Sequence, residues 1–112
     1  MKWNELTSIA QLDQIDEESK NGKVMILKHS TRCSISNTAL NRLERNWKEG
    51  NEAIINPYYL DLLNHRDISN AIAERYKVEH QSPQILVIVN GKCTFSQTHS
   101  EIRLEEILEE VN

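Results

Sequence analysis

The chain has 112 residues, a formal net charge of −4 and two cysteines. This length predicts one domain, spanning residues 1–112, that is able to bury a core without disulfide bonds. The negative charge argues against nucleic-acid binding, and no apolar stretch approaches the ~18 residues of a transmembrane helix. The N-terminus lacks the apolar core of a signal peptide, so we expect a cytoplasmic protein with reduced thiols and no membrane partner.

The first half of the chain predicts a short strand with one helix before it and one helix after it. Ser8 and Gln11 have the spacing of a capping box for a first helix, which Asn21-Gly22 ends. Residues 24–27 are all apolar, which is typical of a strand covered on both faces. After Cys33, apolar residues recur at steps of three to five and predict an amphipathic helix that ends near Gly50. This apolar stripe consists of Ile35, Ala39, Leu40, Leu43 and Trp47.

The second half predicts three strands and two more helices. Residues 54–62 favour a strand, and Asp67 has the position of a cap for the third helix. Residues 85–89 predict a second buried strand. Asn90-Gly91 is a strong hairpin signal that predicts an antiparallel return over residues 92–97.

The last predicted element is a helix capped by Ser100. The element order is therefore α, β, α, β, α, β, β, α, with a possible short strand at Trp3. This order predicts an α/β fold with a central mixed sheet of four, possibly five, strands flanked by about four helices. A thioredoxin-like fold has this sequence of elements.

Cys33 is the strongest candidate for a catalytic residue. It follows a predicted strand and precedes a helix, where the positive helix end and free N–H groups favour a thiolate. Arg32 and Lys28 are expected to add positive charge. Ser36 occupies the position at which a CxxC motif would place a second thiol, so the pattern indicates single-thiol chemistry. The alternative for Cys33 is a buried, inert cysteine.

Two further segments are expected at the same edge of the sheet. Proline is tolerated at the first residue of a strand, and most X-Pro bonds are trans. Thioredoxin-like proteins, which this element order resembles, keep a cis-proline against the active cysteine, so the resemblance implies a cis Ser82–Pro83 bond beside Cys33. The return strand would bring Thr98, His99 and Ser100 to that edge, where helix capping and a solvated surface are the alternative roles of His99 and Ser100.

Cys93 is expected at the opposite end of the sheet. The strand before it runs about seven residues away from the active-site edge, or roughly 23 Å. A disulfide requires Cα atoms within about 7 Å, so Cys93 is not predicted to resolve a Cys33 disulfide. The scattered histidines and the two distant cysteines predict no metal site.

Four segments together resemble the monothiol bacilliredoxins, which are thioredoxin-like proteins of the bacillithiol system. They are residues 28–36 (KHSTRCSIS), residues 82–85 (SPQI), Asn90-Gly91 and residues 98–100 (THS). The resemblance implies a cytosolic oxidoreductase that removes bacillithiol from mixed disulfides on client proteins. No cofactor would be bound, and bacillithiol would be the co-substrate.

By this resemblance Cys33 attacks, Ser36 stands at the absent resolving position and Pro83 is the cis-proline. The family commonly has proline after the cysteine, whereas this chain has Ser34, which should alter the start of the helix. Bacillithiol carries malate carboxylates, for which Lys28, Arg32 and the helix N–H groups are plausible anchors. The expected substrate-binding residues are Lys28, Arg32, Ser34, Ser36, Ser82, Pro83, Thr98 and His99.

Two functions of other classes stay open on the sequence. One is a thioredoxin-like binding module with an unreactive Cys33. The other is an Fe–S carrier similar to the monothiol glutaredoxins, which would use an external thiol and a dimer.

Overall fold

A computed structural model describes residues 1–111. The strands are β1 (Asn4–Glu5), β2 (Val24–His29), β3 (Asn56–Asp61), β4 (Gln84–Val89) and β5 (Lys92–Thr98). The helices are α1 (Gln11–Glu18), α2 (Ser34–Asn46), α3 (Arg66–Tyr76) and α4 (Leu104–Val111). Short 3-10 turns cover Asn51–Ala53 and His99–Glu101.

The five strands form one mixed sheet in the order β1-β3-β2-β4-β5. β3 runs parallel to β1 and β2, whereas β4 is antiparallel to both β2 and β5. The predicted α/β fold and mixed sheet are therefore confirmed, and the possible fifth strand forms one residue beyond Trp3. β2 lies at the centre of the sheet, which places its C-terminal end between the ends of β3 and β4.

Alternating residues of β2 pack against different helices, because side chains alternate between the faces of a strand. Val24 and Ile26 belong to the core under α1 and α3. Met25 and Leu27 belong to the core under α2 and α4. By the same alternation, the side chains of the next two residues, Lys28 and His29, lie on opposite faces of the sheet.

The helix starts differ from the predicted caps. α3 begins after His65, so Asp67 lies in its first turn and is not the cap residue. In the first turn its negative charge still interacts favourably with the positive end of the helix. Ser100 lies in the 3-10 turn before α4. Only half of the predicted capping box forms, since the side chain of Gln11 accepts the Ser8 N–H at 3.0 Å but Ser8 does not cap α1.

The prediction that Ile35 belongs to the buried stripe of α2 is wrong. Ile35 is 50% exposed, whereas Ser36 is fully buried. Ser36, Ala39 and Leu43 are the buried residues of the helix and lie three and four residues apart, so they share one face. Ile35 is one residue out of phase with that face and points to solvent beside Cys33.

Within residues 1–111, no helix is both long enough and apolar enough to span a membrane.

Candidate active site

Cys33 is the N-cap residue of α2 and is half-buried. Its backbone is extended, with φ −107° and ψ 120°. The first helical hydrogen bond runs from Asn37 N–H to the Cys33 carbonyl at 3.0 Å. The N–H groups of residues 34–36 therefore precede the intrahelical pattern, as at every helix start. This end of the helix therefore presents partial positive charge and free N–H groups beside Cys33.

A buried pair of side chains holds the loop below the thiol. Ser36 Oγ accepts the Ser30 N–H at 3.0 Å and lies 2.6 Å from His29 Nδ1. Burial lowers the pKa of His29, against the opposing effect of Asp61 and Glu44. The imidazole is thus neutral near pH 7, and the Ser36 hydroxyl can donate to Nδ1. These bonds tie the start of α2 to the end of β2.

Ser36 was expected to bind substrate, and the structure corrects this role. Its side chain is fully buried, because it points into the α2 face that packs on the sheet. Ser36 therefore positions the loop that carries Cys33 and does not offer a surface contact.

The segments around Pro83 and His99 meet at the edge of the sheet. The Ser82–Pro83 peptide bond is cis. His99 N–H donates to the Pro83 carbonyl at 3.0 Å, and Thr98 pairs with Gln84 in the ladder. Ser82 is half-buried, and its Oγ has no hydrogen-bond partner within the described part of the chain. The sequence analysis correctly expected these residues to lie together.

A groove of about 200 Å³ connects the start of α2 with the turn at residues 99–101. We call it the thiol groove because it begins at Ser34, the residue after Cys33, although Cys33 itself is not among its lining residues. These are Ser34, Ile35, Thr38, Ala39, Arg42, His99 and Ser100. Two predicted substrate contacts, Ser34 and His99, face this groove. Ile35 gives it an exposed apolar surface.

Lys28 does not belong to this site, contrary to the prediction. It is fully buried on the α3 side of the sheet, because it alternates with His29 along β2. Its Nζ donates to the Ser69 carbonyl at 3.1 Å and lies 3.3 Å from His80 Nδ1. Burial lowers the pKa of Lys28 to about 8. Arg32, by contrast, is exposed directly before Cys33.

Cys93 lies at the opposite end of β5, as predicted. It pairs with Ile88 near the end of β4 and packs against the core under α1 and α3. Burial raises its pKa. Five residues separate it from Thr98 at the active-site edge, or about 17 Å of strand. Both cysteines are free.

The sequence analysis left three residues of this region without a role. His29 was unassigned, although its alternation with Met25 and Leu27 predicts a position under α2. Ile35 was counted only as part of the apolar stripe of α2. Arg42 had no local signal, because its position depends on how α2 packs against residues 99–103.

The part of the chain that the structure describes contains no group of three His, Cys, Asp or Glu side chains suited to a metal ion.

The fold and the site together define a thioredoxin-fold protein with one thiol at the junction of a strand and a helix. The family model for the monothiol bacilliredoxin BrxC matches residues 4–107. The chain therefore belongs to the monothiol bacilliredoxin family.

Solved structures agree with this assignment. A thioredoxin-fold protein described as a candidate oxidoreductase is 34% identical, with a TM-score of 0.80 over 94% of this chain and 89% of that chain. The thioredoxin of Malassezia sympodialis is 15% identical, with a TM-score of 0.78 over 98% and 90% of the two chains. The thioredoxin of Fasciola hepatica is 17% identical, with a TM-score of 0.72 over 97% and 99%. The two thioredoxins show the fold alone.

Proposed function

We propose that the protein removes bacillithiol from mixed disulfides on client proteins, with Cys33 as the attacking thiol. The observation that supports this most directly is the pairing of a half-buried Cys33 with a fully buried serine at position 36. A hydroxyl at that position cannot form a disulfide. Family membership supports the same single-thiol chemistry.

The reaction is a thiol–disulfide exchange. The Cys33 thiolate attacks the bacillithiol sulfur, a new S–S bond forms between Cys33 and bacillithiol, and the client sulfur leaves with the electron pair of the broken bond. The client is thereby reduced and Cys33 is oxidised to the mixed disulfide. A second thiol, such as free bacillithiol, must then attack this disulfide to regenerate Cys33.

The surroundings suit both partners of that exchange. By the resemblance to thioredoxin-like proteins, the backbone of Ser82, before the cis bond, would pair with an extended client segment. The carboxylates of bacillithiol would interact with Arg32 and with the N–H groups at the start of α2. Lys28 has no part in this contact, because its ammonium lies on the other face of the sheet.

A single-turnover experiment tests the proposal. A bacillithiolated client protein is mixed with reduced protein in the absence of other thiols, and intact masses are recorded. The client should lose the bacillithiol mass, and Cys33 should gain it. Cys33→Ser should leave the client modified, whereas Cys93→Ser should behave as the wild type.

The other functions are distinguishable in the same experiment. A client that keeps its adduct, with Cys33 unmodified, would contradict the proposal and favour a binding module. A parallel client that carries glutathione instead of bacillithiol tests the choice of thiol. Faster transfer of glutathione would show that bacillithiol is not the preferred group.

A further inference from the structure

A second, larger cleft continues from the thiol groove along α2. It has a volume of about 740 Å³ and lies between the C-terminal half of α2 and the segment that leads into α4. Arg42 and Ser100 line both the groove and the cleft. Ser34, the neighbour of Cys33 in the chain, lines the groove, so a ligand that reacts at Cys33 would pass Ser34 and the groove before it reaches the cleft.

The cleft is basic although the chain is acidic. Arg42, Lys48 and Arg103 line it, with Glu105 as the single carboxylate among its lining residues. The salt bridges of residues 1–111 involve Lys20 and Arg75 instead. Three cations thus face this cavity in a chain whose net charge is −4.

Arg42 contacts the segment before α4 and keeps donors free. Its Nη1 donates to the carbonyls of Ser100 and Ile102 at 3.4 and 3.5 Å. A guanidinium has five N–H donors, so the donors on Nε and Nη2 take no part in these two bonds. The guanidinium is also a planar, preorganised fork, so it loses less side-chain entropy for each hydrogen bond that it forms with a carboxylate than a lysine ammonium does.

We infer that this basic cleft binds an acidic segment of the client polypeptide, next to the cysteine that carries the mixed disulfide. This inference rests on the proposed function. Arg42 follows Cys33 by nine residues, or about 13 Å along a helix axis. An extended peptide covers that distance in about four residues. We therefore expect the acidic residues of a client about four to six residues from its modified cysteine.

The size of the cleft favours a polypeptide over the small thiol. Its volume of about 740 Å³ is more than three times the roughly 200 Å³ of the thiol groove. Its cations also come from two separate segments, α2 with the residues that follow it and the start of α4. A chain that extends away from the reacting cysteine can contact both segments.

Equilibrium binding tests the cleft separately from the chemistry. Cys33→Ser protein is titrated against two fluorescein-labelled, reduced peptides, one with aspartates about four to six residues from its cysteine and one with asparagines there. Anisotropy should show tighter binding of the aspartate peptide. Lys48→Gln combined with Arg103→Gln should weaken that binding about fivefold, the effect expected from the loss of two ion pairs at exposed side chains.

Two controls accompany this measurement. Arg45→Gln combined with Lys92→Gln removes the same two charges from exposed positions outside the cleft and should leave binding unchanged. Glu105→Gln removes the carboxylate of the cleft and should strengthen binding of the aspartate peptide. The preference should vanish near 1 M salt, where the Debye length is about 3 Å.

Equal binding of the two peptides would overturn the inference, whether or not the wild type transfers bacillithiol. An equal effect of the cleft and control variants would also overturn it. Transfer from bacillithiolated forms of both peptides distinguishes the source of the carboxylates. If the cleft variant slows the asparagine peptide as much as the aspartate peptide, the cleft serves bacillithiol and not the client.

Discussion

Replacement of Lys28 by methionine should stabilise the protein near neutral pH. The ammonium of Lys28 is fully buried and has the Ser69 carbonyl and His80 as its polar neighbours, with no carboxylate among the residues bonded to it. Methionine has a similar length and no charge. The substitution removes the cost of burying a cation and one hydrogen bond to a carbonyl.

The size of the effect follows from the pKa of Lys28. Burial lowers it from 10.5 to about 8. This difference corresponds to about 3 kcal/mol, at 1.36 kcal/mol for each tenfold change in the protonation equilibrium. That value is an upper limit, because the lost hydrogen bond to Ser69 is worth about 1 kcal/mol. We expect Lys28→Met to raise the free energy of unfolding by about 1–3 kcal/mol at pH 7.

The dependence of stability on pH provides a second, independent test of the cost of burying Lys28. Below pH 8 Lys28 is protonated in the folded and unfolded states, so the cost of burial is present in full. Between pH 8 and 10.5 the folded state has lost this proton while the unfolded state still binds it. The contribution of Lys28 to the free energy of unfolding therefore rises with pH in that window. The advantage of Lys28→Met should shrink accordingly.

Urea unfolding of both proteins at several pH values between 7 and 10 measures this difference. Subtraction of the two curves removes the contributions of tyrosines and Cys93, which both proteins share. Lys92→Met, at an exposed position, is the matched control and should show no such trend. An advantage that stays constant with pH, or a variant that is less stable at pH 7, would refute this account of Lys28.

Two further predictions concern the site itself. Ser36→Ala should lower the free energy of unfolding, measured in urea, by about 1–3 kcal/mol, because it removes the hydrogen-bond partner of the Ser30 N–H and of His29. Ser34→Ala, at an exposed position, is the control. A Ser36→Ala unfolding midpoint that equals the midpoint of this control would contradict the positioning role of Ser36. Cys93→Ser should leave the bacillithiol-transfer rate unchanged. Non-reducing peptide maps of oxidised native protein should contain no bridge to Cys93, and a native, active protein with that bridge would contradict the strand arrangement.

Much of the fold is predictable because its signals are local. Uninterrupted apolar runs predicted β2 and β4 at the centre of the sheet, and Asn90-Gly91 predicted the hairpin between β4 and β5. Cys33 was recognisable because its neighbours mark the passage from a strand into a helix. The order of these elements was sufficient to predict which edge of the sheet contains the thiol.

The errors share one physical origin. Lys28 was placed beside the thiol because it is close to Cys33 in sequence, yet the alternation along β2 turns it to the other face. Ile35 was counted as part of the apolar stripe of α2, whereas the packed face of α2 passes through Ser36. In both cases the direction of the side chain depends on how the strand or helix is rotated about its axis relative to the core. The pattern of apolar residues defines that rotation only approximately.

The sequence by itself therefore determined the order of the elements, the position of the candidate catalytic thiol and the absence of a second thiol at position 36. Only the tertiary structure decided which side chains surround that thiol. His99 reaches Pro83 through a hydrogen bond between distant segments. Arg42 and Arg103 line one cleft, which forms where α2 packs beside the segment that leads into α4. Such contacts depend on how helices dock on the sheet, and no local spacing in the chain encodes that docking.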